Sequence, residues 1–197
     1  MTLTIYGDSS SGNCLKVKWV ADRLNLPYRW IEVDVVKGEA KSPELLSVNP
    51  AGQVPVTVLD NDRRPLAQSN AIMLYLADGS DLIPTDPYDR AVMFQWLFWE
   101  QYSHEPAIAV RRFHKLHLGK SEADIDPLLM VKGKAALGLM DTCLEAKGGW
   151  FAGKAISLAD VALVAYTRVA HEGGFDLADY PVVKDWVARV EATLPIG

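Results

Sequence analysis

Residues 49–77, "NPAGQVPVTVLDNDRRPLAQSNAIMLYLA", hold the densest set of groups able to grip a ligand. Pro55 stands at the entrance of an apolar, β-branched run, an unusual place for a residue that has no N–H to give a ladder. An X–Pro bond takes the cis form at a cost of only about 0.5–1 kcal/mol. A cis step here turns the N–H and C=O of Val54 outward, where they can pair with an extended peptide. Gln68 and Ser69 then bring an amide and a hydroxyl to the start of "SNAIMLYLA". The unpaired N–H groups and dipole of a helix start favour a carboxylate. Taken singly, Pro55 is a turn residue and Ser69 or Asn70 a helix cap. Together the pieces make a cradle for a small peptide with an α-carboxylate at one end.

The elements around them set the frame. "LTIYG" alternates like a strand, and "CLKVKWVADRLNL" reads as a helix ending before Pro27. "YRWIEVDVV" is a second strand, and "KGEAKSPELLSVNP" a polar excursion with at most a short helix. "VPVTVLD" and "RRPLAQ" pair around the turn "DNDR", and the Ser69 helix follows. The order is β-α-β, a connection, then β-β-α. Beyond the Gly-, Pro- and Asp-rich "DGSDLIPTDPYDR", strand signals vanish and four helical stretches follow, with a break expected near Pro106. In the last half, "SLAD" is a capping box in which Ser157 and Asp160 exchange hydrogen bonds. The fold class is therefore a small α/β domain followed by an all-helical one.

Composition narrows the function. A net charge of −5, with no basic run, argues against nucleic acid and anionic membranes as partners. No apolar run approaches a bilayer span of roughly 18 residues. Cys14 and Cys143 form neither a disulfide framework nor a metal spacing, so no metal is expected. With no secretory pattern at the N-terminus, the expected setting is cytoplasmic.

"NPAGQVPVTVLD…LAQSNAIMLYLA" resembles the ligand-binding segment of cytosolic glutathione S-transferases: a polar residue, Val–cis-Pro, a hairpin, then Glu/Gln–Ser and an apolar helix. "YGDSSSGNCLKVKWVADRLNLPY" is similar to the family's first strand, active-site turn and helix, and "SLADVAL" to its capping box. The resemblance implies a thioredoxin-like domain over residues 1–78, a linker over 79–87 and a helical domain over 88–197. It also implies glutathione as co-substrate, a homodimer, and conjugation of the glutathione thiolate to a small electrophile. Reduction of a disulfide or peroxide, and a non-catalytic binding module, are the alternatives.

Such chemistry needs a thiolate, whose free pKa is about 8.5, so a donor must be aimed at sulfur. The turn "DSSSGNC" offers the Ser11 hydroxyl and the Asn13 amide, both equally at home as ordinary helix-capping groups. By resemblance, Ser11 stands near the catalytic serine of serine-type classes and Asn13 near an asparagine of some bacterial relatives. The register among Ser9, Ser10 and Ser11 is open. Tyr6 and Cys14 are weaker rivals, better read as an inward aromatic and a small buried apolar group. The resemblance places Gln53 and Lys41, ahead of Lys37, at the glycyl carboxylate. It places Val54, Pro55, Gln68 and Ser69 along the rest of the tripeptide. Trp99 and Tyr102, three apart on one helix, are the second-substrate candidates, with His104, Arg111 and His114 behind them.

Overall fold

The computed structural model describes residues 3–59 and 63–196, which divide into two compact units, one reaching to Ser80 and one over Asp81–Leu194. The first unit runs β1 (Leu3–Gly7), α1 (Gly12–Arg23), β2 (Tyr28–Glu32), α2 (Pro43–Val48), β3 (Val56–Leu59), β4 (Pro65–Ala67) and α3 (Ser69–Leu76). The sheet order is β2-β1-β3-β4. β1 pairs parallel with β2 and antiparallel with β3, which pairs antiparallel with β4. This is the β-α-β plus β-β-α order expected from the alternation of periods, and the thioredoxin-like domain that the resemblance implies. The tip of the hairpin turn, residues 60–62, lies outside the described residues.

The end of β2 and the start of α3 differ from the expectation. β2 stops at Glu32 rather than running on through "VDVV". Asp34 turns the chain there: its N–H donates to Glu39, its carboxylate accepts from the Lys37 N–H, and Gly38 follows at φ 82°. α3 is not capped by Ser69 or Asn70. Gln68 precedes the helix at φ 71°, ψ 112°, and Ser69 is already helical with its hydroxyl directed elsewhere.

The second unit runs α4 (Pro87–Trp99), α5 (Glu105–Leu116), α6 (Pro127–Lys147), α7 (Leu158–Thr167) and α8 (Pro181–Thr193). Asp86 and Asp126 cap α4 and α6 just before a proline at the first helical position, where the missing N–H costs nothing. A π-helical turn, Glu100–His104, joins α4 to α5. Pro106 explains its place: it cannot donate to a carbonyl one turn back, and its ring crowds that carbonyl. α7 is buried along its whole length. Beside it Phe151 packs against Trp96 and Trp186, at centroid distances of 4.6 and 5.1 Å.

Candidate active site

The turn between β1 and α1 is held by two carboxylates. Asp8 Oδ1 accepts from the Ser10 N–H at 2.8 Å and the Ser10 hydroxyl at 2.6 Å, and Oδ2 from the Val35 N–H at 3.2 Å. Glu32 Oε1 accepts from the Ser9 N–H at 2.8 Å and hydroxyl at 2.9 Å, while Oε2 takes the Trp30 indole at 2.7 Å. Burial works to raise the Glu32 carboxyl. The Ser9 N–H, the Trp30 indole and the Ser9 hydroxyl outweigh it and hold the pKa below the ordinary value.

Two of the three serines therefore already have carboxylate partners. The third, Ser11, precedes α1 at φ −91°, ψ 118° and makes no side-chain capping bond. Its hydroxyl instead reaches the Cys14 thiol. Sequence reasoning missed Asp8 and Glu32. The Asp8–Ser10 link had a local signal, since an Asp side chain commonly bonds the backbone two residues on. Glu32 had none, because it arrives from another strand.

Asn13, half-buried in the first turn of α1, meets α3. The Ser69 hydroxyl donates to Asn13 Oδ1 at 3.3 Å, joining two helix starts that lie 56 residues apart in sequence. Ser69 is buried, whereas Gln68 beside it is exposed. The Val54–Pro55 peptide is cis, as the sequence reading expected, with Val54 half-buried and Pro55 buried. In the loop before it, Asn49 Nδ2 donates to the Gln53 carbonyl at 2.7 Å. Lys41 reaches this loop, its ammonium donating to the Ala51 carbonyl at 2.9 Å. Gly52, at φ 57°, makes room: a Cβ there would stand 2.7 Å from Lys41 Nζ. Lys37 pairs instead with Asp34 at 2.8 Å.

Tyr6 is engaged elsewhere. It packs against Val33, Ala40, Leu45 and Val56, and lines a cleft of about 230 Å³ between β2 and α2. Cys14 is fully buried, and that burial pushes its pKa up to about 11; contacts from the Asp8 backbone and Ser11 pull only partly the other way. A thiol so placed is almost wholly protonated at neutral pH and should be inert. In a Cys143→Ser variant, thiol titration with a disulfide reagent should find Cys14 reacting at least ~100-fold more slowly in the native than in the unfolded protein.

The remaining sequence candidates lie in the helical unit. Trp99 closes α4, half-buried and edge-on to Trp96 at 5.0 Å. Tyr102 sits within the π-helical turn and is 87% exposed, so the two do not share a face in the way α-helical spacing implies. His104 Nε2 meets Thr167 Oγ1 at 2.9 Å, and since that hydroxyl donates to the Leu163 carbonyl, it accepts from His104. Arg111 is buried, donating to the Gly173 carbonyl and to Glu122. These two contacts tie helices and loops together.

Residues 10–78 match the family description "Glutathione S-transferase, N-terminal domain", and residues 104–193 match "Glutathione S-transferase, C-terminal domain". The chain is 44% identical to a glutathione S-transferase from Pseudomonas fluorescens of known structure, over 96% of this chain and 94% of that one, with a TM-score of 0.90. A glutathione S-transferase structure from Xanthobacter autotrophicus is 40% identical over 96% and 93%, with a TM-score of 0.89. Among curated proteins, the disulfide-bond oxidoreductase YfcG of Escherichia coli is 28% identical over 92% of this chain and 87% of its own length. The two-domain match and the 44% identity across nearly the full chain establish that this protein belongs to the glutathione S-transferase family.

Proposed function

We propose that the protein is a glutathione transferase acting on a small electrophile, working without a metal, as a homodimer in the cytoplasm. The observation that carries the reading is the Ser69–Asn13 hydrogen bond, which brings the starts of α1 and α3 to one point. Two converging helix starts favour an anion, here the peptide's carboxylate and its thiolate. The γ-glutamyl carboxylate lies at Gln68 and Ser69, the peptide's main chain along Val54 and Pro55, and the glycyl carboxylate near Lys41 and Gln53. Asn13 donates to sulfur. Ser11 is the second donor, behind Asn13 because its hydroxyl is already turned to Cys14. Trp99 and Tyr102 serve the electrophile.

Each hydrogen bond to a thiolate favours the charged form, and one pKa unit corresponds to about 1.4 kcal/mol. Asn13→Ala should therefore lower kcat/KM for a chromogenic aryl halide by about 10–100-fold at mildly acidic pH, with less effect at alkaline pH where thiolate forms unaided. Calorimetry with glutathione should show one site per chain. No heat of binding and no conjugation would remove the proposal.

Disulfide reduction is the second reading, favoured by the E. coli relative's name. Both thiols would then come from glutathione: one thiolate attacks the disulfide and expels one substrate thiol, and a second resolves the mixed disulfide, leaving oxidised glutathione. Cys14, buried with a raised pKa, takes no part, so Cys14→Ser should retain that activity.

A further inference from the structure

The β1–α1 turn is fastened to β2 from both sides. Glu32, the last residue of β2, stands opposite Gly7 in the parallel register. From there its Oε1 takes both the N–H and the hydroxyl of Ser9, at 2.8 and 2.9 Å. In the other direction Asp8 reaches past β2 to accept from the Val35 N–H at 3.2 Å. The Glu32 carboxylate is itself aimed. Its Oε2 accepts from the Trp30 indole at 2.7 Å, and the Trp30 ring lies over Gly7, which has no Cβ to obstruct it. Within the turn, the Ser11 N–H donates to the Asp8 carbonyl at 3.0 Å. The Ser11 carbonyl then opens α1, accepting from the Cys14 and Leu15 N–H groups at 3.0 and 2.9 Å. A shift at Ser9 is thus carried to Ser11 and the helix start.

Two carboxylates beside a helix start oppose an anion bound there. Cys14, in the first turn of α1, registers this. Behind burial, and behind the Asp8 backbone and Ser11 contacts that lower it, the charges of Asp8 and Glu32 both raise the thiol's pKa. Charge and fastening therefore predict opposite signs for removing Glu32. Losing the charge makes a bound thiol more acidic; losing the fastening makes it less acidic. Glu32 is exposed, so solvent screens its charge. Its three charge-assisted hydrogen bonds are each roughly twice as strong as neutral ones, and two of them fall on one residue of the turn. Fastening prevails. We propose that Glu32 is a positioning residue: through Ser9 it latches the β1–α1 turn in the place from which Ser11 and the start of α1 face the ligand sulfur. This rests on the proposal that the turn serves a glutathione thiol.

The variants are Glu32→Ala, Glu32→Gln, Trp30→Phe and the Glu32→Gln/Trp30→Phe pair. The pKa of bound glutathione is read from thiolate absorbance against pH. Affinities come from calorimetry, with S-methylglutathione as a probe that has no thiol proton to lose. In Glu32→Ala the bound thiol should titrate about half to one unit higher. Glutathione should then bind about three- to tenfold more weakly above that pKa, while S-methylglutathione changes less than about twofold. Glu32→Gln alone should resemble Glu32→Ala, because the amide nitrogen must face either the Ser9 donors or the indole N–H, donor to donor. Trp30→Phe removes that conflict, so the pair should return the thiol to the wild-type pKa or below it. A bound thiol that is more acidic in Glu32→Ala, or unmoved, would overturn the proposal. So would equal weakening of both ligands, since Glu32 would then serve the fold alone. Hydrogen exchange without ligand keeps the latch apart from the family reading. The Ser9 and Ser11 amides should exchange about tenfold faster in Glu32→Ala, with those of β3 unchanged. Unaltered exchange would overturn the latch. Faster exchange confined to the turn, in a protein that binds no glutathione, would uphold the latch and remove the transferase assignment instead.

Discussion

Asp160→Ala should cost the helical unit about 4 kcal/mol, measured as a lowered midpoint in urea or on heating. The carboxylate is fully buried and collects four donors. Oδ1 accepts from the Phe151 N–H at 3.2 Å and the Trp186 indole at 2.9 Å. Oδ2 accepts from the Ser157 N–H at 2.9 Å and hydroxyl at 3.0 Å. Alanine orphans these donors inside the unit, each at about 1–3 kcal/mol. One opposing effect keeps the sum down. Burial pushes the Asp160 pKa from 3.8 to about 6, so its charged form is itself penalised in the folded state by about 3 kcal/mol. The sign then follows. Between pH 4 and 6 the folded chain holds a proton that the unfolded chain has released. Stability from this group is complete below the unfolded pKa and declines as pH rises through the folded one. Above about pH 6 the curve levels. The wild-type-minus-Asp160→Ala difference should therefore shrink by about 3 kcal/mol across that window. A difference that grows with pH would contradict the buried-carboxylate account.

What the sequence disclosed was local chemistry. Asp86–Pro87 and Asp126–Pro127 announce helix starts because cap and first helical residue are adjacent. Ser157 and Asp160 announce another because a capping box spans a single turn. The order of strands and helices followed from the change of hydrophobic period. What stayed hidden depends on residues brought together from far along the chain. Nothing in "DSSSGN" says that Glu32 will take Ser9. Nor does "QSNAIM" say that Ser69 will meet Asn13 instead of capping its own helix. Trp186 on Asp160 is of the same kind, 26 residues away. The spacing of Trp99 and Tyr102 was hidden for a different reason: counting in steps of 3.6 assumes an unbroken α-helix, and the π-helical turn before Pro106 resets the count.

Gly7 sets propensity against packing, and magnitudes decide between them. In a strand, valine is worth up to about 1 kcal/mol over glycine, so propensity alone makes Gly7→Val stabilising. A Cβ on Gly7, however, would stand 2.3 Å from Trp30 Cη2 and 2.8 Å from Cζ2. Overpacking of this kind costs about 1–3 kcal/mol, and the ring cannot swing aside cheaply. Its indole N–H is held by Glu32, whose other oxygen fastens Ser9. Gly7→Val should thus destabilise the first unit by about 2–3 kcal/mol and loosen the Ser9–Asn13 turn, lowering glutathione affinity together with the denaturation midpoint. The decisive comparison is a double-substitution cycle. Gly7→Ala should be costly in the wild-type background and nearly neutral in Trp30→Ala, where the obstructing ring is gone. Equal cost in both backgrounds would place the constraint in the β1 backbone and leave Trp30 without the role assigned to it.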